Sequence, residues 1–131
     1  MSYAKPYAAL IGIVLVAVGA LGFISNPIVG EGNALFLTGT VHNLVHLATG
    51  LLALVVAFGL RGEQQANGVI GIGALYLVVF VALIISPTLF GILGAGYPVN
   101  LADQGLHLGL AVISFGVGWM ARGGAPMMAR S

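Results

Sequence analysis

Residues 68–86 read GVIGIGALYLVVFVALIIS, a run without a single charge that is closed by Pro87. Wound as an α-helix at about 1.5 Å per residue, a run of this length crosses the roughly 30 Å of hydrocarbon in a bilayer. It shows no alternation of apolar and polar residues, which a membrane β-strand would need. Three more runs are of similar length and apolar character, the last carrying one charge, Asp103. Residues 7–25 stop at Asn26-Pro27, where proline lacks an amide hydrogen and restricts the residue before it. Residues 41–60 stop at Arg61-Gly62, and residues 101–121 stop at Arg122-Gly123-Gly124. The expected fold is therefore all-α, an integral membrane four-helix bundle forming one domain over residues 1–131. The first run is longer than the apolar core of a signal peptide and lacks a small-x-small site before Asn26, so it is read as a helix.

Composition supports the same reading. The 131 residues include four Lys/Arg and three Asp/Glu, so 5% are charged, against roughly 25% in soluble domains. A soluble globule of this mass would expose about 6,500 Å², which seven charged side chains cannot keep in water. Apolar residues make up 60% of the chain, and the mean hydropathy is +1.11. A lipid bilayer is the implied partner. The net charge of +1 excludes a nucleic-acid binder, which needs clustered Lys and Arg. The absence of cysteine excludes disulfides, thiolate metal sites and thiol nucleophiles.

All four basic residues fall on one side of such a bundle. Lys5 precedes the first span, Arg61 separates the second from the third, and Arg122 and Arg130 follow the fourth. By the positive-inside rule that side is cytoplasmic, with both termini inside. The opposite loops, 26–40 and 87–100, contain only one formal charge, Glu31. Their apolar residues, such as Leu35, Phe36, Leu89 and Phe90, are expected to lie on the membrane surface as anchors or to dip back as a lid. Tyr3, Tyr7, Tyr97 and Trp119 fall near the span ends and read as an aromatic belt.

A shift of 61 positions aligns the two halves without a gap. Ile11-Gly12 falls on Ile72-Gly73, Ile24-Ser25 on Ile85-Ser86, His46-Leu47 on His107-Leu108 and Arg61-Gly62 on Arg122-Gly123. Repeat 1 covers about residues 5–62 and repeat 2 about residues 66–123, with a short tail over 124–131. Each half holds two spans, so both enter the membrane from the same side. The expected symmetry is a pseudo-two-fold axis along the membrane normal, relating two parallel helical hairpins.

The repeat also aligns the polar residues. His42 and His46 are four apart at the outer end of the second span, as are Asp103 and His107 at the outer end of the fourth. Four residues span about 400°, so each pair shares one helix face. Those faces continue through small residues, Gly50, Ala53 and Ala57 on one helix and Ala111, Ser114 and Gly118 on the other, which let membrane helices approach closely. His42, His46, Asp103 and His107 are therefore expected to converge inside the bundle, with Asn43 and Gln104 beside them as supporting partners.

Such a set admits several chemistries. Three imidazoles and a carboxylate suit Zn²⁺, Cu²⁺, Ni²⁺ or Fe²⁺ by ligand type. A haem b held by His46 and His107 is a variant, and a proton or ion relay a third reading. The set is equally compatible with no cofactor, as an interhelical hydrogen-bond network worth about 0.6 to 2 kcal/mol per bond in an accessory or scaffold subunit. No His-Glu-x-x-His motif is present and no serine has a base beside it, so no catalytic residue is assigned and an enzyme is the least supported class. A homo-oligomer or a larger membrane complex is compatible with all of these.

The run His42-Asn43-Leu44-Val45-His46-Leu47-Ala48-Thr49-Gly50, taken with Asn100-Leu101-Ala102-Asp103-Gln104-Gly105-Leu106-His107-Leu108, resembles the two signatures of a bacterial four-span membrane family catalogued as domain of unknown function 4383. The likeness covers nearly the whole chain, and its more specific part is His-Asn-Leu-Val-His. It departs from the family pattern at Gln104-Gly105, where Asn and a branched apolar residue are expected. The resemblance implies a bacterial inner-membrane protein with His42, Asn43, His46, Asp103 and His107 as motif residues, and it carries no established activity.

Overall fold

A computed structural model describes residues 3–130, with side chains described as far as Gly123. The chain forms α1 (Ala4–Leu21), two short strands β1 (Val29–Gly30) and β2 (Phe36–Leu37), then α2 (Thr40–Gly59), α3 (Gly62–Ile85) and α4 (Leu101–Arg130). All four helices contain a stretch long and apolar enough to cross a membrane. Large apolar side chains are exposed along them, among them Leu10, Ile13, Leu51, Phe58, Val78, Ile84 and Trp119. The buried side combines small residues, Ala4 and Ala8 of α1, Ala53 and Ala57 of α2, Ala66 of α3 and Ala111 of α4, with larger ones such as Leu15, Val69, Ile72 and Tyr76. Apolar side chains on the outside as well as the inside are the arrangement of a bundle whose solvent is lipid.

α1 packs along α2, and α3 along α4, while contacts between these two hairpins are sparser. Glycine permits the close approach within each hairpin. A methyl group on Gly12 would stand 3.0 Å from the Gly50 carbonyl, and one on Gly50 only 2.7 Å from the Val16 amide nitrogen. In the second hairpin a methyl on Gly73 would stand 3.1 Å from the Ala111 carbonyl, and one on Gly118 would stand 3.0 Å from that of Ala66. Two hydroxyl pairs join the hairpins. Thr49 of α2 donates to the Val45 carbonyl and so accepts from the Tyr76 hydroxyl of α3, at 2.8 Å. Tyr7 of α1 meets Ser114 of α4 at 2.6 Å. Tyr7 is therefore not part of an aromatic belt: its hydroxyl turns inward because Ser114, wholly buried, offers a partner that lipid does not.

Two helix boundaries differ from the spans expected of the sequence. α1 ends at Leu21, well before Pro27. Asn26 folds back there, its amide donating to the carbonyls of Leu21 and Val29 while its Oδ1 accepts from the amides of Ile28 and Val29. The side chain thus terminates the helix before proline can. At the other end, α3 starts at Gly62 rather than near residue 68 and takes in the polar segment Glu63–Asn67. Gln65, although polar, is buried because its amide nitrogen serves the carbonyls of Val56, Ala57 and Leu60 at the end of α2. Gln65→Ala is expected to cost about 1 to 3 kcal/mol by stranding those carbonyls. Thermal unfolding in detergent checks this, with the exposed Gln64→Ala as control; equal effects of the two changes would refute the capping role. The tail expected over 124–131 is helical as far as Arg130, and Ser131 lies outside the described residues.

At the end of the bundle opposite the chain termini, two loops cover the helices. β1 pairs with β2 in parallel, Val29 with Phe36 and Gly30 with Leu37. Asn100 then ties the two loops together through its amide and the Leu35 carbonyl, at 2.8 Å.

Candidate metal centre

α2 and α4 stand across a diagonal of the bundle, and no pair of their described Cα atoms lies within 8 Å. Imidazoles fill the gap. His42 and His46, on one face of α2, have ring centroids 4.4 Å apart; His107 of α4 lies 5.7 Å from the first and 6.4 Å from the second. One nitrogen from each of the three rings falls within 4.8 Å of the others. A tetrahedral ion at about 2.0 to 2.1 Å from its ligands needs them about 3.3 Å apart. Reaching that spacing from the observed spread of up to 4.8 Å requires the nitrogens to approach one another by at most about 1.5 Å.

The three rings are at most 3% exposed. Burying imidazole without partners costs free energy, so such nitrogens are normally hydrogen-bonded. Here Nδ1 of His42 and both ring nitrogens of His46 have no partner. The rings gather at one place yet are not tied together by hydrogen bonds from those nitrogens.

His107 is oriented from its far side. Its Nδ1 lies 3.1 Å from Oε1 of Gln104, whose amide nitrogen donates to the Phe80 carbonyl at 3.2 Å. With that amide spent on Phe80, Oε1 can only accept. Neutral His107 must then carry its proton on Nδ1 and keep a free lone pair on Nε2. This is the arrangement in which a metal-binding histidine is held by an outer partner.

A cavity of about 80 Å³ adjoins the rings, lined by all three histidines together with Thr49, Tyr76 and apolar residues that include Leu89 and Leu93. Leu89 and Phe90 both have left-handed backbones, with φ of 53° and 57°, a conformation that costs a branched or bulky residue about 1 to 2 kcal/mol. That turn brings the 87–100 loop over the cavity as a roof. Tyr76 stacks on His107 at 5.9 Å with 29° between planes. Sequence reading passed over Tyr76, although a hydroxyl-bearing ring in mid-span was a usable signal.

Two of the sequence-derived candidates face elsewhere. Asp103 is buried but stands outside the group of three. Its Oδ2 accepts from the Asn100 amide while its own amide donates to Asn100 Oδ1, a reciprocal cap on α4. Its other oxygen, Oδ1, is buried without a hydrogen-bond partner. Asn43 lies against Gly22, just past the end of α1, where a methyl group would fall within 2.8 Å of three of its side-chain atoms. It lines a separate cavity that none of the histidines borders. Of the six candidates, the structure gathers His42, His46 and His107 around one point, with Gln104 behind the last.

A family model described as Domain of unknown function (DUF4383) matches residues 5–120, most of the chain, and the protein belongs to that family. No curated protein and no solved structure matches it.

Proposed function

We propose that this member of the family is a small membrane protein that binds one transition-metal ion through His42, His46 and His107. The observation that carries the reading is His46, 1% exposed with neither ring nitrogen partnered, inside a group of three imidazoles of suitable spacing. Three neutral nitrogen donors and no thiolate suit Zn²⁺, Cu²⁺, Ni²⁺ or Fe²⁺. The cavity of about 80 Å³ has room for an ion and a water or similarly small ligand. A haem macrocycle does not fit it, with His42 standing beside both proposed axial ligands. Gln104 acts as the orienting partner, and Asp103 as the cap that fixes the start of α4 and with it the height of His107. When bound, the ion supplies a Lewis-acidic position facing the roofed cavity.

The site lies at the loop end of the bundle, which we assign to the outer face of a bacterial inner membrane because every basic residue is at the other end or beyond it. We further infer that the hairpins are copies related by a parallel pseudo-two-fold axis. Gly12 against Gly50 and Gly73 against Ala111 are the same contact shifted by 61 positions. The two hydroxyl bridges join helix pairs, α2 with α3 and α4 with α1, that exchange under that rotation, through residues that are not equivalent by the repeat.

Elemental analysis of the detergent-purified protein tests the proposal. About one equivalent of a transition metal is expected, absent from His46→Ala and from His107→Ala. Gln104→Leu is expected to weaken binding about 10- to 100-fold while leaving the fold intact. Metal no higher in wild type than in His46→Ala, after incubation with each of the four ions, would end the proposal.

A further inference from the structure

The cavity of about 80 Å³ beside the imidazoles opens sideways, between α2 and α3. Val45 of α2 and Leu75 of α3 line it and are 41% and 39% exposed, so they form its lips on the outer surface of the bundle. At a rise of about 1.5 Å per residue they stand about 7 Å and 15 Å along their helices from the loop end. Leu44 and Val78, a turn or less away in sequence, are exposed too, which makes this stretch lipid-facing. Contacts between α2 and α3 are sparse beside those within each hairpin, and that leaves the gap. Toward the loops the cavity is closed by Leu89 and the buried Leu93.

Hardly any polar atom is accessible in its wall. Thr49 donates to the Val45 carbonyl and accepts from Tyr76, so both hydroxyl protons are used within the protein. The unpartnered nitrogens of His42 and His46 are themselves buried, and Nδ1 of His107 is engaged by Gln104. In the metal-free protein little is left there to hold a water, and apolar cavities of this kind stay dry. No Lys, Arg, Asp or Glu lines it, so a charged guest would meet no counter-charge. Size narrows the choice further. An apolar cavity of about 150 Å³ holds a benzene ring, so one of about half that volume suits a molecule of about two or three heavy atoms.

We propose that this cavity takes a neutral diatomic gas, of the class of dioxygen, nitric oxide and carbon monoxide, out of the bilayer and holds it against the imidazole rings. Such molecules are apolar, so hydrocarbon takes them up more readily than water does, and the lips face hydrocarbon. The inference rests on the metal reading for its consequence: with an ion on His42, His46 and His107, the gas stands at the ion's open side. A ligand would then reach the metal from lipid without crossing the loops.

Dioxygen is paramagnetic and therefore serves as its own probe. Methyl relaxation under dioxygen pressure, measured by NMR on the full-length, chelator-treated protein in lipid nanodiscs, provides the test. The buried methyl groups of Leu83 and Leu93, which line the cavity, are expected to respond at least as strongly as those of the exposed Val78. They are expected to respond several-fold more than those of Leu15, equally buried but in the core. Val79→Phe, which fills the cavity from its wall, is expected to abolish the response at Leu83 and Leu93 and to leave that at Val78. Should this variant not fold, the wild-type comparison decides alone. A response at Leu83 and Leu93 no larger than at Leu15, or one that persists in folded Val79→Phe, would overturn the proposal. So would magnetisation transfer to those methyls from water or from acyl-chain ends, which would identify water or lipid as the occupant. Because no metal is bound in this experiment, a dioxygen response in a protein that never takes up metal would remove the metal reading and leave the gas site standing.

Discussion

Replacing His46 by leucine is expected to make the metal-free protein more stable while abolishing its response to metal. In the wild type, the buried ring presents two nitrogens without partners. Each such group costs about 1 to 3 kcal/mol when left unsatisfied. Leucine has a similar volume and no polar atoms, and it faces a cavity whose other walls are largely apolar, among them Val45, Leu75, Val79 and Leu83. A gain of about 1 to 3 kcal/mol over chelator-treated wild type follows. Metal reverses the order: an ion present at 1,000 times its dissociation constant stabilises wild type by about 4 kcal/mol and leaves the variant unmoved. Melting curves of both proteins, with chelator and with Zn²⁺, Cu²⁺, Ni²⁺ or Fe²⁺, show whether the lines cross. A variant less stable than chelated wild type, and lifted equally by metal, would mean that His46 has a hydrogen-bonding role instead.

The spans were legible because strongly apolar runs of membrane length carry their own boundary marks. Where the structure departs from them, a single side chain decides. Asn26 ends α1 by taking the Leu21 carbonyl before Pro27 is reached, and Gln65 extends α3 backwards by capping α2. Neither effect appears in a hydropathy pattern, because each depends on a carbonyl being placed within reach by the fold. The histidines of α2 were legible from their spacing, which fixes a shared face. The same spacing cannot show which neighbour competes for a side chain. Asp103 and His107 share a face of α4, yet Asp103 is engaged by the Asn100 amide. Asn100 three residues before Asp103 is itself a capping pattern, so that engagement was open to reading. The position of Asn43 was not. It depends on Gly22, which lies twenty-one positions away and matters only because α1 leaves it empty of a side chain there.

The largest loss of stability is expected from filling the seam between α1 and α2. A Cβ on Gly50 would lie 2.7 Å from the Val16 amide nitrogen and 2.9 Å from the Gly12 carbonyl. Both are backbone atoms, which cannot swing aside as a side chain does. Gly50→Ile must therefore push the helices apart, losing the close contact along the seam as well as overpacking one site. Overpacking alone costs about 1 to 3 kcal/mol, so the total is expected to exceed about 3 kcal/mol. The separation would also carry His42 and His46 with α2, so metal binding should fall in the same variant. Gly109→Ile on α4 supplies the comparison, because nothing lies within 4 Å of a methyl group there. Isoleucine at that position meets lipid, and its helix propensity exceeds that of glycine, so stability should hold or rise slightly. Gly73→Ile is expected to match Gly50→Ile in loss of stability, since the Phe115 amide nitrogen stands 3.0 Å from its Cβ position. Denaturation in mixed detergent micelles ranks the three. If Gly50→Ile proved as stable as Gly109→Ile, backbone contact at glycine would not be what holds each hairpin closed, and the diagonal gap that the imidazoles fill would need a different cause.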